Sequence, residues 1–174
     1  DTRTAVDFAY DERHNISQVK IANEVVLSKE ITYNADGSTQ SVTTYGNGQK
    51  IKKYYDRYDR LVRVSDSTGL QVELVDYIYN DTEIDKTTFD LATFSPTVSA
   101  NSPLRAVVDH VAETITWYTY DEFGRIYDTS SSALTTHQRY DQYGRVALCE
   151  TATDQTDIYV VNTITHVSPV DDNI

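Results

Sequence analysis

A short segment of the chain occurs twice, almost unchanged, about 20 residues apart. YTYDEFGRI ends at Ile126 and QRYDQYGRV ends at Val146, and weaker copies lie towards the N-terminus. The anchoring tyrosines of these copies are Tyr10, Tyr33, Tyr55, Tyr79, Tyr120, Tyr140 and Tyr159. Their spacing stays near 20 residues except for one doubled interval, where a copy has decayed. Repeats of this length are typical of architectures in which each unit packs only on its neighbours. They therefore favour a structural role for the chain over a catalytic one.

Each unit predicts a β-hairpin. In WYTYDEFGRIY, Tyr118 and Tyr120 lie on one face of a period-two pattern and Trp117 lies on the other, which is typical of a strand. We expect Asp121 to accept hydrogen bonds from the backbone amides that follow it. Gly124 then supplies the positive φ that closes the turn.

The other copies place residues that tolerate a positive φ at the position of Gly124. These residues are Gly37, Gly144, His14, Asp59 and, as a poorer fit, Glu83. A second turn lies between successive copies, at 46–48, 65–69 and 130–132, and the first of these contains the hairpin signal Asn-Gly. Two strands and two turns in each unit predict an all-β fold, an antiparallel meander of about 12 strands in one curved sheet.

The repeats are interrupted once. Residues 91–106 contain two prolines and many small polar residues, which predicts a loop or junction between a block of repeats over 1–90 and another over 107–166. Residues 167–174 are expected to form a flexible tail. No stretch keeps an apolar 3.6-residue period beyond two turns, although residues 19–30 come closest to a helix.

Two segments near the second block are predicted to be strands. The segment that begins at Val107 is compatible with a short helical turn up to Ala112, but a strand is the preferred prediction. The segment IYVVNTITHV is rich in β-branched residues, and this composition is typical of a strand. We therefore expect it to form the last strand of the meander.

The unit Y-x-Y-D-x-x-G-R-L resembles the YD repeat of the RHS (rearrangement hotspot) family. The resemblance spans roughly residues 8–150 with the interruption already described. The residues that define the repeat here are Tyr10, Asp11, Tyr33, Gly37, Tyr55, Asp56, Tyr118, Tyr120, Asp121, Gly124, Arg125, Tyr140, Asp141, Gly144 and Arg145. The resemblance implies a large secreted or surface protein whose repeats form one long sheet that spirals into a hollow shell.

In bacterial members of that family the shell commonly encloses a C-terminal toxin, and related repeats occur in insecticidal toxin complexes and in teneurins. The family's self-cleaving segment at the end of the shell is absent here, since the chain contains no Asp-Pro pair. No segment downstream of the repeats matches a toxin domain. The resemblance therefore implies that this chain is an interior slice of a longer protein.

The charge of the chain excludes some partners. With 15 basic and 27 acidic residues the net charge is −12, which repels phosphate backbones and anionic lipid. No apolar run has the length of a membrane span, and no signal peptide is recognisable. Cys149 is the only cysteine, so no internal disulfide forms, and we expect a small buried side chain rather than a reactive thiol.

The sequence predicts neither a metal nor a cofactor. The histidines, at positions 14, 110, 137 and 166, lie in different units, so they are expected to be exposed or to cap turns. The segment NADGS begins like a calcium loop, but Tyr45 stands where the closing glutamate is required, so a hairpin turn is the better interpretation. No nucleophile or metalloprotease motif is present, and the chain is predicted not to be an enzyme.

These observations predict a non-enzymatic structural segment of an extracellular or cell-wall-associated shell that encloses or presents a toxin or effector domain. Its main partner would be the remainder of the shell. The alternative is a module that binds glycans or a protein through rows of exposed tyrosines, and polysaccharide hydrolysis is a third hypothesis. An isolated slice exposes its first and last strands, so it would dimerise edge to edge or cover an edge with residues 91–106.

Overall fold

The chain forms a single open sheet. A computed structural model describes residues 4–132, 134–153 and 156–163, which form thirteen antiparallel strands that pair in chain order and contain no helix. The strands are β1 (Val6–Tyr10), β2 (Ile16–Ile21), β3 (Glu24–Tyr33), β4 (Thr39–Tyr45), β5 (Lys50–Tyr55), β6 (Leu61–Asp66), β7 (Val72–Tyr79), β8 (Leu104–Asp109), β9 (Thr114–Tyr120), β10 (Ile126–Ser130), β11 (Thr135–Tyr140), β12 (Val146–Thr153) and β13 (Thr156–Thr163). The all-β meander predicted from the repeats is confirmed.

All the repeat turns lie at the same end of this sheet. Because consecutive strands are antiparallel neighbours, the connections that follow odd-numbered strands meet at one end, and those that follow even-numbered strands meet at the other. Among the described residues, the five Tyr-Asp or Tyr-Asn turns all follow odd-numbered strands, at 11–15, 34–38, 56–60, 121–125 and 141–145. We call this the YD end of the sheet.

The repeat turns share one backbone geometry. In the turn that begins at Asp121, the Gly124 amide donates to the Asp121 carbonyl (3.0 Å) and the Asp121 amide donates to the Arg125 carbonyl (2.9 Å). The predicted positive φ is confirmed at the fourth turn position, in His14 (63°), Gly37 (86°), Asp59 (61°), Gly124 (75°) and Gly144 (78°). A tight turn closed by a left-handed residue matches the right-handed twist of the flanking strands.

The prediction for Glu83 is wrong, because this residue does not adopt a positive φ. It lies in the connection 80–103, which replaces a repeat turn between β7 and β8. The connection starts before the predicted 91–106 interruption, and β8 begins within that interruption at Leu104. The strand preferred over a helical turn after Val107 is confirmed.

The segment with the strongest helical pattern is also extended. Residues 19–30 contribute to β2 and β3, which are joined at Ala22 and Asn23. Both of these residues have a positive φ, of 50° and 68°. Two successive left-handed residues are typical of the tightest hairpin turn. The predicted tail, 167–174, lies outside the described residues. Residues 158–163 of the predicted last strand belong to β13, and the remainder of that prediction lies outside the described residues.

The only buried apolar cluster of the described residues lies under the long loop, residues 80–103. Ile78, Ala106 and Val108 are buried on one face of β7 and β8, together with Ile84 of the loop. Three aromatic rings extend this cluster. The ring centre of Phe89 lies 5.1 Å from that of Phe94 and 4.9 Å from that of Trp117, and the rings of Phe89 and Trp117 meet edge to face. The loop therefore provides a second layer over the middle of a sheet that is otherwise a single layer.

Polar contacts fasten the long loop to both ends of the sheet. At the YD end, Asn80 donates its backbone amide to the Pro103 carbonyl (3.2 Å) and accepts the Thr97 amide on its side chain (3.0 Å). Further along the sheet, Lys86 Nζ donates to Ser130 Oγ (2.6 Å). The loop thus covers a face of the central strands, and the expectation that it covers an edge strand is wrong.

Gly124 allows a direct test of the turn. A Cβ built at Gly124 has no heavy atom within 4 Å, so only the backbone conformation opposes a side chain there. Gly124→Val should lower the free energy of unfolding by more than about 1 kcal/mol, because a β-branched residue resists the left-handed region. Urea denaturation measures this difference.

Gly69→Val is the matched control, since Gly69 has equally open surroundings and does not have a positive φ. Equal stability of the two variants would contradict the turn geometry described above.

Candidate functional site

The carboxylates of the repeat turns cap the backbone. Asp121 Oδ1 accepts the amides of Phe123 (3.0 Å) and Arg125 (2.9 Å), as predicted. The same pair of bonds forms in the turns of Asp11, Asp56 and Asp141. Each of these aspartates therefore satisfies two donors that the turn leaves without a backbone partner.

The copy that begins at Asn34 uses a different carboxylate. Here Asp36 Oδ1 accepts the amide of Ser38 (2.9 Å) and its hydroxyl (2.7 Å). This is the segment NADGS, and its bonds are those of the predicted hairpin turn. The capping side chain has moved two positions along the chain while the backbone turn is unchanged.

The second oxygen of the turn aspartate binds an arginine four residues later. Arg60 Nη2 lies 2.7 Å from Asp56 Oδ2, and Arg125 and Arg145 repeat this contact with their own aspartates at 2.6 and 2.7 Å. The recurring Asp and Arg in the sequence are the signal for this pairing. The arginines recur at the same position of the repeat unit in the sequence, but their partner is visible only in the structure.

The same arginines reach into the next unit. The Arg60 guanidinium lies 4.4 Å from the ring centre of Tyr79, and that of Arg125 lies 4.3 Å from the ring centre of Tyr140. Arg13, at the third position of its turn, also lies over the tyrosine of the next unit, with its guanidinium 3.7 Å from the ring centre of Tyr33. A guanidinium over an aromatic ring is attracted by the ring quadrupole. Each of these contacts couples one turn to the anchoring tyrosine of the following unit.

The hydroxyls of two anchoring tyrosines are also used within the sheet. Tyr120 donates to the Leu104 carbonyl and Tyr140 donates to the Ile126 carbonyl, both at 2.7 Å. These rings are half-buried, whereas Tyr10 and Tyr33 of the first units are exposed. Aspartate, arginine and the tyrosine of the next unit thus meet at the turns of Asp56 and Asp121, and we call this recurring group at the YD end the Asp–Arg–Tyr row.

Hydrogen bonds lower the pKa of the turn carboxyls below the ordinary value of 3.8. For Asp56 burial acts in the opposite direction, but the hydrogen bonds from Arg60 and Tyr58 outweigh it. For Asp141 the largest cause of the lowered pKa is the hydrogen bond from the Arg145 amide. These turns are therefore built around ionised carboxylates.

A groove runs between the long loop and β5–β7. Its volume is about 510 Å³, and its walls combine apolar groups with a few polar ones. Leu91 and Phe94 of the loop and Ile78 of the sheet line its apolar part, and Arg63 and Asp76 line its polar part. Grooves with this combination are common at ligand sites.

A histidine and two carboxylates meet beside this groove, and we call Glu73, Asp76 and His110 the acid–histidine cluster. His110 Nε2 lies 2.9 Å from Asp76 Oδ2 and 4.0 Å from Glu73 Oε2. Arg63 binds both carboxylates from the other side. The three ligand atoms lie within 4.8 Å of one another.

Two histidines differ from the sequence prediction. His110 and His137 are half-buried and each contacts an aspartate, Asp76 and Asp128 respectively, so neither is simply exposed or part of a turn cap. Each of these contacts joins residues of different strands or turns, which spacing along the chain does not reveal. His14 is exposed in its turn as predicted, and His166 lies outside the described residues.

Cys149 lies in β12 and has no disulfide partner. Its side chain is half-buried, which is less than the sequence led us to expect. It is paired in register with Gln138 of β11.

Comparisons with known proteins assign no family to this chain. No protein-family model matches it, and no curated protein matches it at a significant level. Over the described residues, no helix has the length and apolar character that a membrane span requires.

The coupling of one repeat to the next can be measured at Arg60 and Tyr79. A double-mutant cycle with Arg60→Gln and Tyr79→Leu should give an interaction energy of about 0.5–1 kcal/mol, because each variant removes one partner of the same contact. Urea denaturation of the four proteins provides the values.

Arg57→Gln paired with Tyr79→Leu is the control cycle, since Arg57 lies over its neighbour Tyr58 and not over Tyr79. A coupling energy near zero in the first cycle, or an equal one in both, would show that the arginine does not join the two units.

The turn carboxyls also predict a pH dependence. Because their folded pKa is lower than the unfolded value, their contribution to stability is complete above about pH 5 and is lost as the pH falls through the folded pKa. The urea midpoint should therefore fall less steeply between pH 5 and pH 3 in the double variant Asp121→Asn, Asp141→Asn than in the wild type. Glu122→Gln, at an exposed position of the same turn, should keep the wild-type slope.

Proposed function

We propose that this chain is a non-enzymatic structural segment of an extracellular or cell-wall-associated shell of the YD-repeat (RHS) type, which encloses or presents a toxin or effector domain. The observation that supports the proposal is the Asp–Arg–Tyr row. The same turn recurs at one end of a single sheet, and its arginines contact the tyrosine of the next unit. Such nearest-neighbour coupling lets a sheet grow by adding identical units.

The exposed side chains of the first strand support the proposal that a further strand pairs with it. β1 is the outermost strand next to β2, and its apolar side chains are open to solvent, with Val6 49 % and Phe8 52 % exposed. An edge strand with unpaired backbone groups and apolar side chains is a template for another strand. In the proposed shell the preceding unit of the parent protein pairs here, and in isolation a second copy of the chain would take that place.

The turn aspartates have a structural task that accounts for both of their oxygens. Asp56, Asp121 and Asp141 each use one oxygen for backbone amides and the other for an arginine. A carboxylate engaged in this way at three separate turns stabilises the turn. Their recurrence therefore supports the scaffold and gives no support to catalysis by these residues.

The alternative function, binding of glycans or a protein, is favoured by a different row of aromatic residues. Phe123 and Tyr143 occupy the same position in successive turns and are 73 % and 71 % exposed. An arginine lies near each ring, at 5.0 and 5.2 Å from its centre. Exposed flat rings with one open face are suited to stacking on sugar rings or on a partner surface.

The parent protein tests the scaffold directly. Sequencing of both flanks should reveal further YD units and a C-terminal domain of different composition, and electron microscopy of the parent should show a hollow particle. A parent without additional repeats, or one that forms a solid globule, would overturn the proposal.

A glycan array tests the alternative. Binding that is lost in the double variant Phe123→Ala, Tyr143→Ala, and retained in Leu70→Ala, would favour the binding module. Leu70 is an apolar residue that is even more exposed (92 %) and lies in a turn at the opposite end of the sheet.

A further inference from the structure

We propose that Glu73, Asp76 and His110 form a site for a zinc ion or a chemically similar transition-metal ion. One imidazole nitrogen and two carboxylate oxygens are a donor set that such ions accept, whereas calcium and magnesium favour oxygen ligands alone. The proposal is independent of the scaffold function, since it rests on residues of β7 and of the turn after β8.

The spacing of the ligand atoms suits a tetrahedral ion. Metal–ligand bonds of about 2.0–2.2 Å place neighbouring ligand atoms roughly 3.3 Å apart around zinc. The distances from His110 Nε2 to Asp76 Oδ2 (2.9 Å) and to Glu73 Oε2 (4.0 Å) lie on either side of this value. Small side-chain rotations would therefore equalise them, and a fourth position would remain for water or another ligand.

A β-bulge brings the two carboxylates together. Residues three apart on a regular strand point to opposite faces, so Glu73 and Asp76 would be separated on an undistorted β7. The register shifts beside Leu74: Val64 pairs with Val75, and Ser65 pairs with Glu73. The extra residue turns Glu73 to the face of Asp76. His110 is held at the same place, because its amide donates to the Leu74 carbonyl (2.9 Å).

Arg63 orients both carboxylates, and only one of its bonds goes to an oxygen that lies nearest to the histidine. It binds Asp76 Oδ1 through Nε and Glu73 Oε1 through Nη1, whereas the oxygens nearest to His110 are Asp76 Oδ2 and Glu73 Oε2. Its Nη2 also lies 3.0 Å from Asp76 Oδ2. Outer-shell donors of this kind fix the orientation of metal ligands. We therefore assign Arg63 as a positioning residue.

The charge of the cluster favours a cation. Asp76 is a buried carboxylate, only 5 % exposed at its side chain, and it shares one arginine with Glu73. One positive charge thus faces two negative charges in a partly desolvated setting, and a buried charge is stabilised only when it is paired. The excess negative charge would attract a cation such as a divalent metal ion.

A fully buried hydroxyl provides an independent indication. Ser65 is 0 % exposed, and its Oγ has no hydrogen-bond partner among the described residues. It lies on the same face of β6 as Arg63 and is the register partner of Glu73, so it points to the side of the sheet where the cluster lies. A buried hydroxyl without a partner costs free energy, and water bound to a metal at the cluster would be a suitable partner.

Titration of the metal-free protein with zinc chloride in a calorimeter tests the proposal. We expect one zinc ion per chain, and an affinity at least about tenfold weaker in His110→Ala and in Glu73→Gln, because each variant removes one ligand. His137→Ala is the matched control, since His137 also contacts an aspartate but belongs to no cluster of three ligands among the described residues. It should bind zinc like the wild type.

Cobalt substitution adds a readout that depends on coordination. The visible absorption of bound Co²⁺ should indicate a four- or five-coordinate site in the wild type and disappear in His110→Ala. Arg63→Lys should retain the spectrum but bind zinc about 10–100-fold more weakly, because lysine cannot hold both carboxylates.

Absence of zinc binding by the wild type would overturn the proposal, as would equal binding by wild type, His110→Ala and Glu73→Gln. Circular dichroism of each variant establishes that the sheet is intact. Glu73, whose side chain is 39 % exposed, gives the variant that least disturbs folding.

Discussion

The contact between a turn arginine and the tyrosine of the next unit is the interaction on which this structure depends. A sheet of one layer buries little apolar surface, so it needs lateral contacts that supplement the backbone ladder. Arg125 provides both kinds of support: it binds Asp121 within its own turn and lies over Tyr140 in the next one. The hydrogen bonds of Asp121 fix the turn and the arginine, so that the guanidinium lies over the ring of Tyr140.

The long loop solves the same problem in a different way. Where a repeat turn is replaced by residues 80–103, apolar side chains of the loop cover Ala106 and Val108 and give the sheet a local second layer. The Arg60 side chain joins the two arrangements, since it contacts Asp56, Tyr79 and the Ser102 carbonyl of the loop. The groove and the acid–histidine cluster lie beside this second layer, where β7 contains a bulge and Asp76 is buried.

Much of the fold could be predicted because its determinants are local. The turn at Asp121–Arg125 depends on side chains that hydrogen-bond within four residues and on a residue that accepts a positive φ, and both leave a visible mark at each repeat. The positive φ predicted for Glu83 is wrong because Tyr79 and Asn80 match the start of a repeat turn, whereas the residues that complete such a turn are absent. The half-buried state of Cys149 follows from the single-layer sheet, which leaves few side chains fully enclosed.

By itself, the sequence determined the repeat turns and the order of the strands that they join, because short connections between antiparallel strands make consecutive strands neighbours. Only the tertiary structure decided which face the long loop covers, which ring each arginine meets and which residues surround His110. These contacts join positions far apart in the chain, such as His110 and Asp76, and they depend on a bulge at Leu74 that no periodic pattern records. Period-two alternation predicts which residues share a face, but one extra residue in a strand reverses that prediction.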